Sequence, residues 1–391
     1  MIPYGRQDII QEDIDSVISI LKSDFITQGP VVPKFEKAVV SKVHAKHAIA
    51  VNSGTSALHI ACLALGLGPG DWLWTVPNTF VASANCGRYC GANIDFVDVD
   101  PETWNMSATK LSAKLEEARE KKCLPKVVVP VHFAGQPTEQ EKIWDLSKKY
   151  GFRILEDASH SIGASRNGEP VGSCRWSDIT VFSFHPVKII TTAEGGMALT
   201  NDNELAQLMT LYRSHGITRD PDHLLSPSPG PWYYEQQMLG FNYRMTDIQA
   251  GLGLSQLQRL DSYVARRNYL AKKYSESLQG LPIQLPSIDA KNISAFHLFV
   301  IRLKLDELLP TRTEIFLQLQ SKGIGVNVHY MPVYMQPYYQ KLGFSKGQFP
   351  EADKYAEDVI TLPLFPLMTD NEQEIVIKSL TEILTGVRRI R

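Results

Sequence analysis

The chain has 391 residues, 43% hydrophobic and 21% charged, which supplies a large core and room for more than one domain and excludes a disordered chain. With 40 Lys and Arg against 42 Asp and Glu, the net charge of -2 excludes a general pull toward nucleic acid or an anionic membrane, so any anion must be held by a local site. Its five cysteines, Cys62, Cys86, Cys90, Cys123 and Cys174, are odd in number and lack CxxC spacing, so neither a disulfide framework nor a zinc site is indicated. Cys86 and Cys90 stand four apart, on one helix face.

The opening "MIPYGRQDII" has neither a basic n-region nor a long apolar stretch, and no run reaches the length of a membrane span, which points to a cytoplasmic protein. From about residue 48 to 200, short β-branched runs alternate with helical patterns: "AIAVNSG", "WLWTVPN", "IDFVDVD", "KVVVPVHFAG", "RILEDAS" and "ITVFSFH". That alternation predicts an α/β fold with a mostly parallel sheet, and such sheets place ligands outside the carboxyl ends of their strands. Helices are predicted at Ser56 to Leu65, Ser107 to Lys122, Glu139 to Lys149 and "NELAQLMTLYRSH". The stretch 217 to 240, rich in Pro and Ser yet carrying Trp232, Tyr233 and Tyr234, is a surface excursion or a functional loop. A long helical pattern from Asp247 to Gln279, bent near its glycines, ends at "GLPIQLP". A boundary there divides the chain into a large domain, 1–280, and a smaller α/β domain, 281–391, with strands at "AFHLFVIRL" and "IGVNVHY" and helices near 311–322, 351–359 and 370–385.

Three strand ends carry residue types suited to chemistry. In "VNSGTSAL" a strand turns through Ser53, Gly54 and Thr55 into a helix, where free backbone N–H groups and hydroxyls suit a phosphate; Ser and Thr also cap helices with no ligand, and by itself the turn reads as a cap. No GxxxxGK[ST] is present, and "GLGPG" stands between a helix end and a strand, the wrong order for a dinucleotide fingerprint. In "RILEDASHS" a strand ends in Glu156 and Asp157 with His160 three residues on. A carboxylate there can cap a helix, or partner a metal, a ribose hydroxyl or a protonated heterocycle, and no third ligand at useful spacing supports the metal.

In "SFHPVKIITTAEGGM" Lys188 lies among apolar neighbours after a strand. Desolvation there lowers an amine's pKa and exposes it as a nucleophile toward carbonyls. A lone lysine more often snorkels from a turn. A phosphate nest, a carboxylate and a desolvated amine on successive strand ends are, together, the fixtures that pyridoxal phosphate requires. Ser183 then reads as a phosphate ligand rather than a strand residue, and the glycine pair as turn structure.

The series "NSGTSALH", "PNTFVASAN", "DVDPETWNM", "PVHFAGQP", "EDASHSIGA", "SFHPVKIITTAEGGM", "RSHGI", "LGFNYRMTDIQAGLGLSQL" and "VHYMPVY" resembles, over essentially the whole chain, the sugar aminotransferases of the DegT/DnrJ/EryC1/StrS group. Within the group, "IPYGRQDI", "FITQGP" and the Lys188 segment are most similar to the branch acting in pseudaminic acid biosynthesis. The resemblance implies a fold-type I, pyridoxal-phosphate-dependent transferase that works as a homodimer with shared active sites. It implies L-glutamate as amino donor and a UDP-linked 4-keto-6-deoxy-N-acetylhexosamine as acceptor, aminated at C4 to UDP-4-amino-4,6-dideoxy-N-acetyl-β-L-altrosamine. By the same resemblance Lys188 bonds the cofactor aldehyde, Asp157 pairs with its ring nitrogen and His160 neighbours its polar face. Ser53, Gly54, Thr55, Ser56 and Ser183 hold the phosphate, Phe80 stacks on the ring, and Asn242 reaches the phosphate of the neighbouring subunit. Tyr4, Asp24, Phe25, Ile26, Thr27, Asn242, His329 and Tyr330 approach the sugar nucleotide, with His215 and Arg244 as further candidates. Sugar dehydratases of this fold carry a different residue at the lysine position, so Lys188 stands against that alternative.

Overall fold

The structure, a computed structural model, describes residues 1–386. Two helices, α1 (Gln11–Leu21) and α2 (Val31–Val43), precede the first strand; then come β1 (His47–Val51), α3 (Gly54–Ala64), β2 (Trp72–Thr75), α4 (Ala82–Tyr89), β3 (Asn93–Phe96), α5 (Ala108–Glu120), β4 (Val127–Val129), α6 (Gln140–Tyr150) and β5 (Arg153–Asp157). β6 (Ile179–Ser183) and β7 (Gly196–Thr200) complete a seven-stranded sheet of order β1-β7-β6-β5-β4-β2-β3, with α7 (Asn203–Arg213) after it. β7 runs antiparallel to both β1 and β6, and the other pairs are parallel. The strands are buried runs such as Val127–Val129 because helices cover both faces. α3 is buried nearly all round, so its residues Ala57, Leu58, Ile60, Ala61 and Cys62 show no polar stripe.

The pattern from 247 to 279 is two helices rather than one bent at its glycines: α8 (Asp247–Leu257) and α9 (Leu260–Ser277) separate at Gln258 and Arg259. The glycines serve close packing instead. A Cβ on Gly251 would lie 2.0 Å from Ile20 Cδ1 of α1, and one on Gly253 2.7 Å from Phe35 Cζ of α2. The break falls where Arg259 donates to the buried carboxylate of Asp13, 2.6 Å away.

A second sheet of β8 (Ile283–Gln284), β9 (Phe299–Leu303) and β10 (Val359–Leu362) packs with helices α10 (Arg312–Ser321) and α12 (Asp370–Thr385), while α11 (Pro350–Asp358) leads into β10. Its core includes Leu270, Tyr274 and Leu278 from α9 and its end, just before the expected boundary. "IGVNVHY" does not form a strand of this sheet. Ile324 instead bridges Ile2, with Ile2 N donating to Gly323 O (2.8 Å) and Gly325 N to Ile2 O (2.7 Å), while Asn327 bridges Thr361. The first residues thereby occupy the edge that a strand partner would have used. Leu364 N also donates to Tyr4 O, at 3.0 Å. Residues 217–240 form a surface excursion closed by the pairing of Ile217 and Thr218 with Gln236 and Glu235 and exposing Leu225, Trp232 and Leu239.

Candidate active site

A cavity of about 440 Å³ opens at the carboxyl ends of β5 and β6 and the N-terminus of α3. Ser53 is extended (φ -163°) and its hydroxyl accepts from Ser56 N (3.1 Å), which starts the helix and leaves Gly54 and Thr55 in its first turn. Ser183, the last residue of β6, meets this turn: a Cβ on Gly54 would stand 3.0 Å from Ser183 Cβ. Ser183 is therefore both strand residue and cavity wall. The glycine pair has a similar cause. Gly196 pairs with Val51 and Ser183, and a Cβ there would lie 2.4 Å from Ser53 O. Only glycine lets β7 run between the two strands whose ends form the cradle.

Lys188 sits in the connection from β6 to β7. Phe184 N donates to Gly195 O (2.9 Å) and Thr192 N to Phe184 O (2.9 Å), closing the neck, and Lys188 N donates to His185 O (2.9 Å). Phe184, Ile189 and Ile190 are buried and pin this segment into the core, so the half-buried Lys188 is delivered to the cavity. Its Nζ has no hydrogen-bond or ion-pair partner among the described residues. Burial lowers the Lys188 amine to about 8, against the opposing pull of Asp157.

Asp157 ends β5, buried, its main chain stitched to the end of β4 by Asp157 N to Pro130 O (3.0 Å) and His132 N to Asp157 O (3.1 Å). Its carboxylate accepts from Ser83 Oγ (2.6 Å), Ser159 Oγ (2.6 Å) and Ser159 N (3.2 Å). The opposite wall is aromatic. His160 Nε2 and Tyr330 Oη are 3.2 Å apart, the His160 and His297 rings 4.4 Å apart, and the Tyr4 and His329 rings 5.4 Å apart. Burial, with Lys188 nearby, pushes His160 well below the ordinary histidine range and His329 down to about 4, so these rings are neutral near pH 7. His297 is likewise held well below by burial and by His160. Phe80, 57% exposed, presents an uncovered ring at the rim, 6.4 Å from Tyr330.

Ser53, Gly54, Thr55, Phe80, Asp157, His160, Ser183, Lys188, Tyr4, His329 and Tyr330 thus share one cavity. Ser56 does not line it: its hydroxyl donates to Asn52 Oδ1 at 2.6 Å. Asn242 lies outside, bridging Ser214, as do His215 and Arg244. The Asp24–Thr27 segment is also outside, with Thr27 bridging Thr246 and Phe25 and Ile26 exposed. The sequence reading missed Ser83, Ser159, Glu194 and His297, and it takes His185, which also lines the cavity, as turn structure. Ser159 carried a signal, the Asp-x-Ser turn; His297 reads as a strand residue, and nothing local marks Ser83.

These residues fit pyridoxal phosphate: a cradle that a Cβ would fill, a free amine of lowered pKa, a buried carboxylate and an uncovered ring. Among the described residues no group of His, Cys, Asp and Glu is arranged to hold a metal, and no helix is long and apolar enough to cross a membrane. Fold and cavity together fit a pyridoxal-phosphate-dependent enzyme of α/β architecture.

Comparison with known proteins specifies it further. The model of the DegT/DnrJ/EryC1/StrS aminotransferase family matches residues 7–381. The spore coat polysaccharide biosynthesis protein SpsC of Bacillus subtilis is 38% identical, over 98% of this chain and 97% of its own. Spr1654 from Streptococcus pneumoniae, solved in a PMP form, superposes with TM-score 0.90 at 30% identity over 99% of this chain and 100% of its own. Helicobacter pylori PseC, an aminotransferase involved in the biosynthesis of pseudoaminic acid, superposes with TM-score 0.89 at 29% identity over 98% of this chain and 99% of its own. The chain belongs to the DegT/DnrJ/EryC1/StrS aminotransferase family and is a sugar aminotransferase.

Proposed function

We propose that the enzyme transfers the amino group of L-glutamate to C4 of a UDP-linked 4-keto-6-deoxy-N-acetylhexosamine, giving the UDP-4-amino-4,6-dideoxy-N-acetyl-β-L-altrosamine of the pseudaminic acid pathway. The observation that carries the transfer chemistry is the convergence of Lys188, Asp157 and the Ser53–Thr55 turn on one cavity; the likeness to PseC supports the choice of sugar. When bound, pyridoxal phosphate supplies an aldehyde for the amine and an electron sink for its α-carbon.

This chain's residues do the rest. The α3 N-terminus, with the Thr55 and Ser183 hydroxyls, holds the phosphate; Gly54 and Gly196 keep side chains out of that space. Asp157, oriented by Ser83 and Ser159, holds the proton on the ring nitrogen. Phe80 covers the ring face. Lys188, whose amine burial lowers to about 8, would bond the cofactor's aldehyde and, when free, would serve as the general base for the proton at the donor α-carbon. Tyr4, His329 and Tyr330 orient the sugar. Asn242 and the Asp24–Thr27 segment, outside this cavity, act on the site of a partner subunit in a homodimer.

The test is to incubate the cofactor-loaded enzyme with glutamate and a panel of UDP- and dTDP-linked 4-keto sugars and to identify the aminated product by NMR. The expected result is one C4-amino product from the UDP-linked N-acetylated sugar. Preference for a dTDP sugar would overturn the substrate, and transfer to none of them would overturn the reading as a whole.

A further inference from the structure

Arg267 of α9 is 1% exposed and lies outside the cavity. Its neighbour Arg266 pairs with Asp370 at 2.7 Å, whereas Arg267 turns inward and gathers main-chain carbonyls: Nη1 donates to Phe296 O (3.2 Å), His297 O (3.1 Å) and Leu364 O (3.0 Å). A guanidinium only donates, so a buried one needs acceptors, and these three carbonyls supply them. Each belongs to a segment that leads to the aromatic wall of the cavity. His297 lines the cavity itself, and Leu364 N donates to the carbonyl of Tyr4 (3.0 Å). Phe296, between α9 and that wall, has φ +43°, a left-handed conformation that residues with side chains rarely adopt and that persists only where the surroundings fix it. The carbonyls of Phe296 and His297, which follow that turn, meet on one nitrogen of Arg267.

Other residues of α9 hold the same two segments: Asn268 Nδ2 donates to Ser294 O (2.8 Å), and Tyr274 Oη to Pro363 O (3.0 Å). Arg267 itself is bonded to both. Neither ring nitrogen of His297 hydrogen-bonds to a described residue, so packing against His160, 4.4 Å away, and its own main chain place this ring. What fixes that main chain therefore fixes the ring.

We propose that Arg267 is a positioning residue for the acceptor: from behind the aromatic wall it sets the places of His297 and Tyr4, and through them the fit of the keto sugar. The proposal rests on the reading of that wall as the acceptor's. Removing the three hydrogen bonds loosens the wall and leaves Asp157 and Lys188, whose segments are tied to the seven-stranded sheet, in place.

The experiment compares Arg267→Met, which fills the space and removes the donors, with Arg267→Lys, whose ammonium offers three donors to the three carbonyls that Nη1 alone now meets. Each is loaded with pyridoxal phosphate, and its half-reaction with glutamate is followed by the cofactor's absorption. The kcat and KM are then measured with the keto sugar that the wild-type enzyme aminates best, beside Tm. Arg267→Met should raise the sugar KM about five- to twentyfold with kcat and the glutamate half-reaction within about threefold, and Arg267→Lys should raise it about two- to fourfold. A sugar KM within about twofold of wild type in Arg267→Met, or glutamate and sugar steps slowed alike, would make Arg267 a structural residue and overturn the proposal whatever the Tm. Should Arg267→Met not fold, Arg267→Lys decides alone: a sugar KM raised about twofold or more with an unchanged glutamate half-reaction supports the proposal, and any other pattern refutes it. His297→Ala separates the proposal from the reading beneath it. If His297→Ala raises the sugar KM and Arg267→Met does not, the wall keeps its role and Arg267 loses its own; if His297→Ala leaves the sugar KM unchanged, the wall's role falls and the proposal with it.

Discussion

The two walls of the cavity are built differently. On one, Ser53, Thr55, Asp157 and Ser183 stand on strand ends or a helix start and Lys188 in the connection from β6 to β7, and main-chain hydrogen bonds in or beside the seven-stranded sheet tie these segments down. On the other, Tyr4 comes from the first residues of the chain, His297 from the approach to β9, and His329 and Tyr330 from the segment after α10. These rings lean on one another at centroid distances of 4.4 to 6.2 Å with few hydrogen bonds, among them His329 Nδ1 with Thr361 Oγ1 at 2.9 Å. A ladder holds a reacting group to a fraction of an ångström, which bond-making requires; a wall of packed rings can be recut for another sugar without disturbing the ladder. On the function proposed above, the groups that make and break bonds stand on the first wall, and the second is suited to recognising the acceptor.

Substitutions on the two walls should accordingly separate kcat from KM. The largest effect is expected for Lys188→Ala, which should lower kcat by about four orders of magnitude while the circular dichroism spectrum is unchanged; a variant with more than a tenth of wild-type turnover would remove Lys188 from the chemistry. Next comes Gly196→Ala. Its Cβ would lie 2.4 Å from Ser53 O, so the cradle must shift and the Kd for pyridoxal phosphate should rise about tenfold or more, as measured by fluorescence titration. On the aromatic wall, Tyr330→Phe removes the hydroxyl bonded to His160; KM for the keto sugar should rise about three- to tenfold with kcat within about threefold. A kcat effect larger than the KM effect would merge the two walls into one.

The smallest effect concerns acid. His329 has a folded pKa of about 4, below its ordinary 6.5, so its neutral form is favoured in the native state. Its contribution is fully present above pH 6.5 and is lost as pH falls toward 4, because the unfolded chain then binds the proton first. His160 and His297 are shifted the same way. His329→Gln should therefore reduce the fall in Tm between pH 6.5 and 4 by a few degrees and leave Tm near pH 8 little changed. An identical acid profile in wild type and variant would refute the neutral, buried ring.

Legibility follows the same division. Ser53, Gly54, Thr55, Asp157 and Lys188 were readable because each belongs to a turn whose chemistry is written within four or five neighbours: a hydroxyl cap, a strand-end carboxylate, an amine among apolar residues. Ser159 could have been read from the same kind of signal. Ser83 could not, since it reaches Asp157 across 74 positions through the packing of α4 on the sheet. His297 looked like a strand residue, and Gly251 and Gly253 like a bend, because a sequence shows that a side chain is small or aromatic without showing what faces it.

By itself the sequence determined the alternation of strands and helices, the turns at the strand ends and the apolar neighbours of Lys188, all set by residues adjacent in the chain. Only the tertiary structure decided that β7 would pass antiparallel between β1 and β6, which is why Gly196 must be glycine. It likewise decided that Ile2 would pair with Ile324 and bring Tyr4 to the cavity, and that Ser83 of α4 would reach the Asp157 carboxylate. Those contacts join residues tens to hundreds of positions apart, and their energy comes from burial and hydrogen-bond completion, which exist only once the layers have closed.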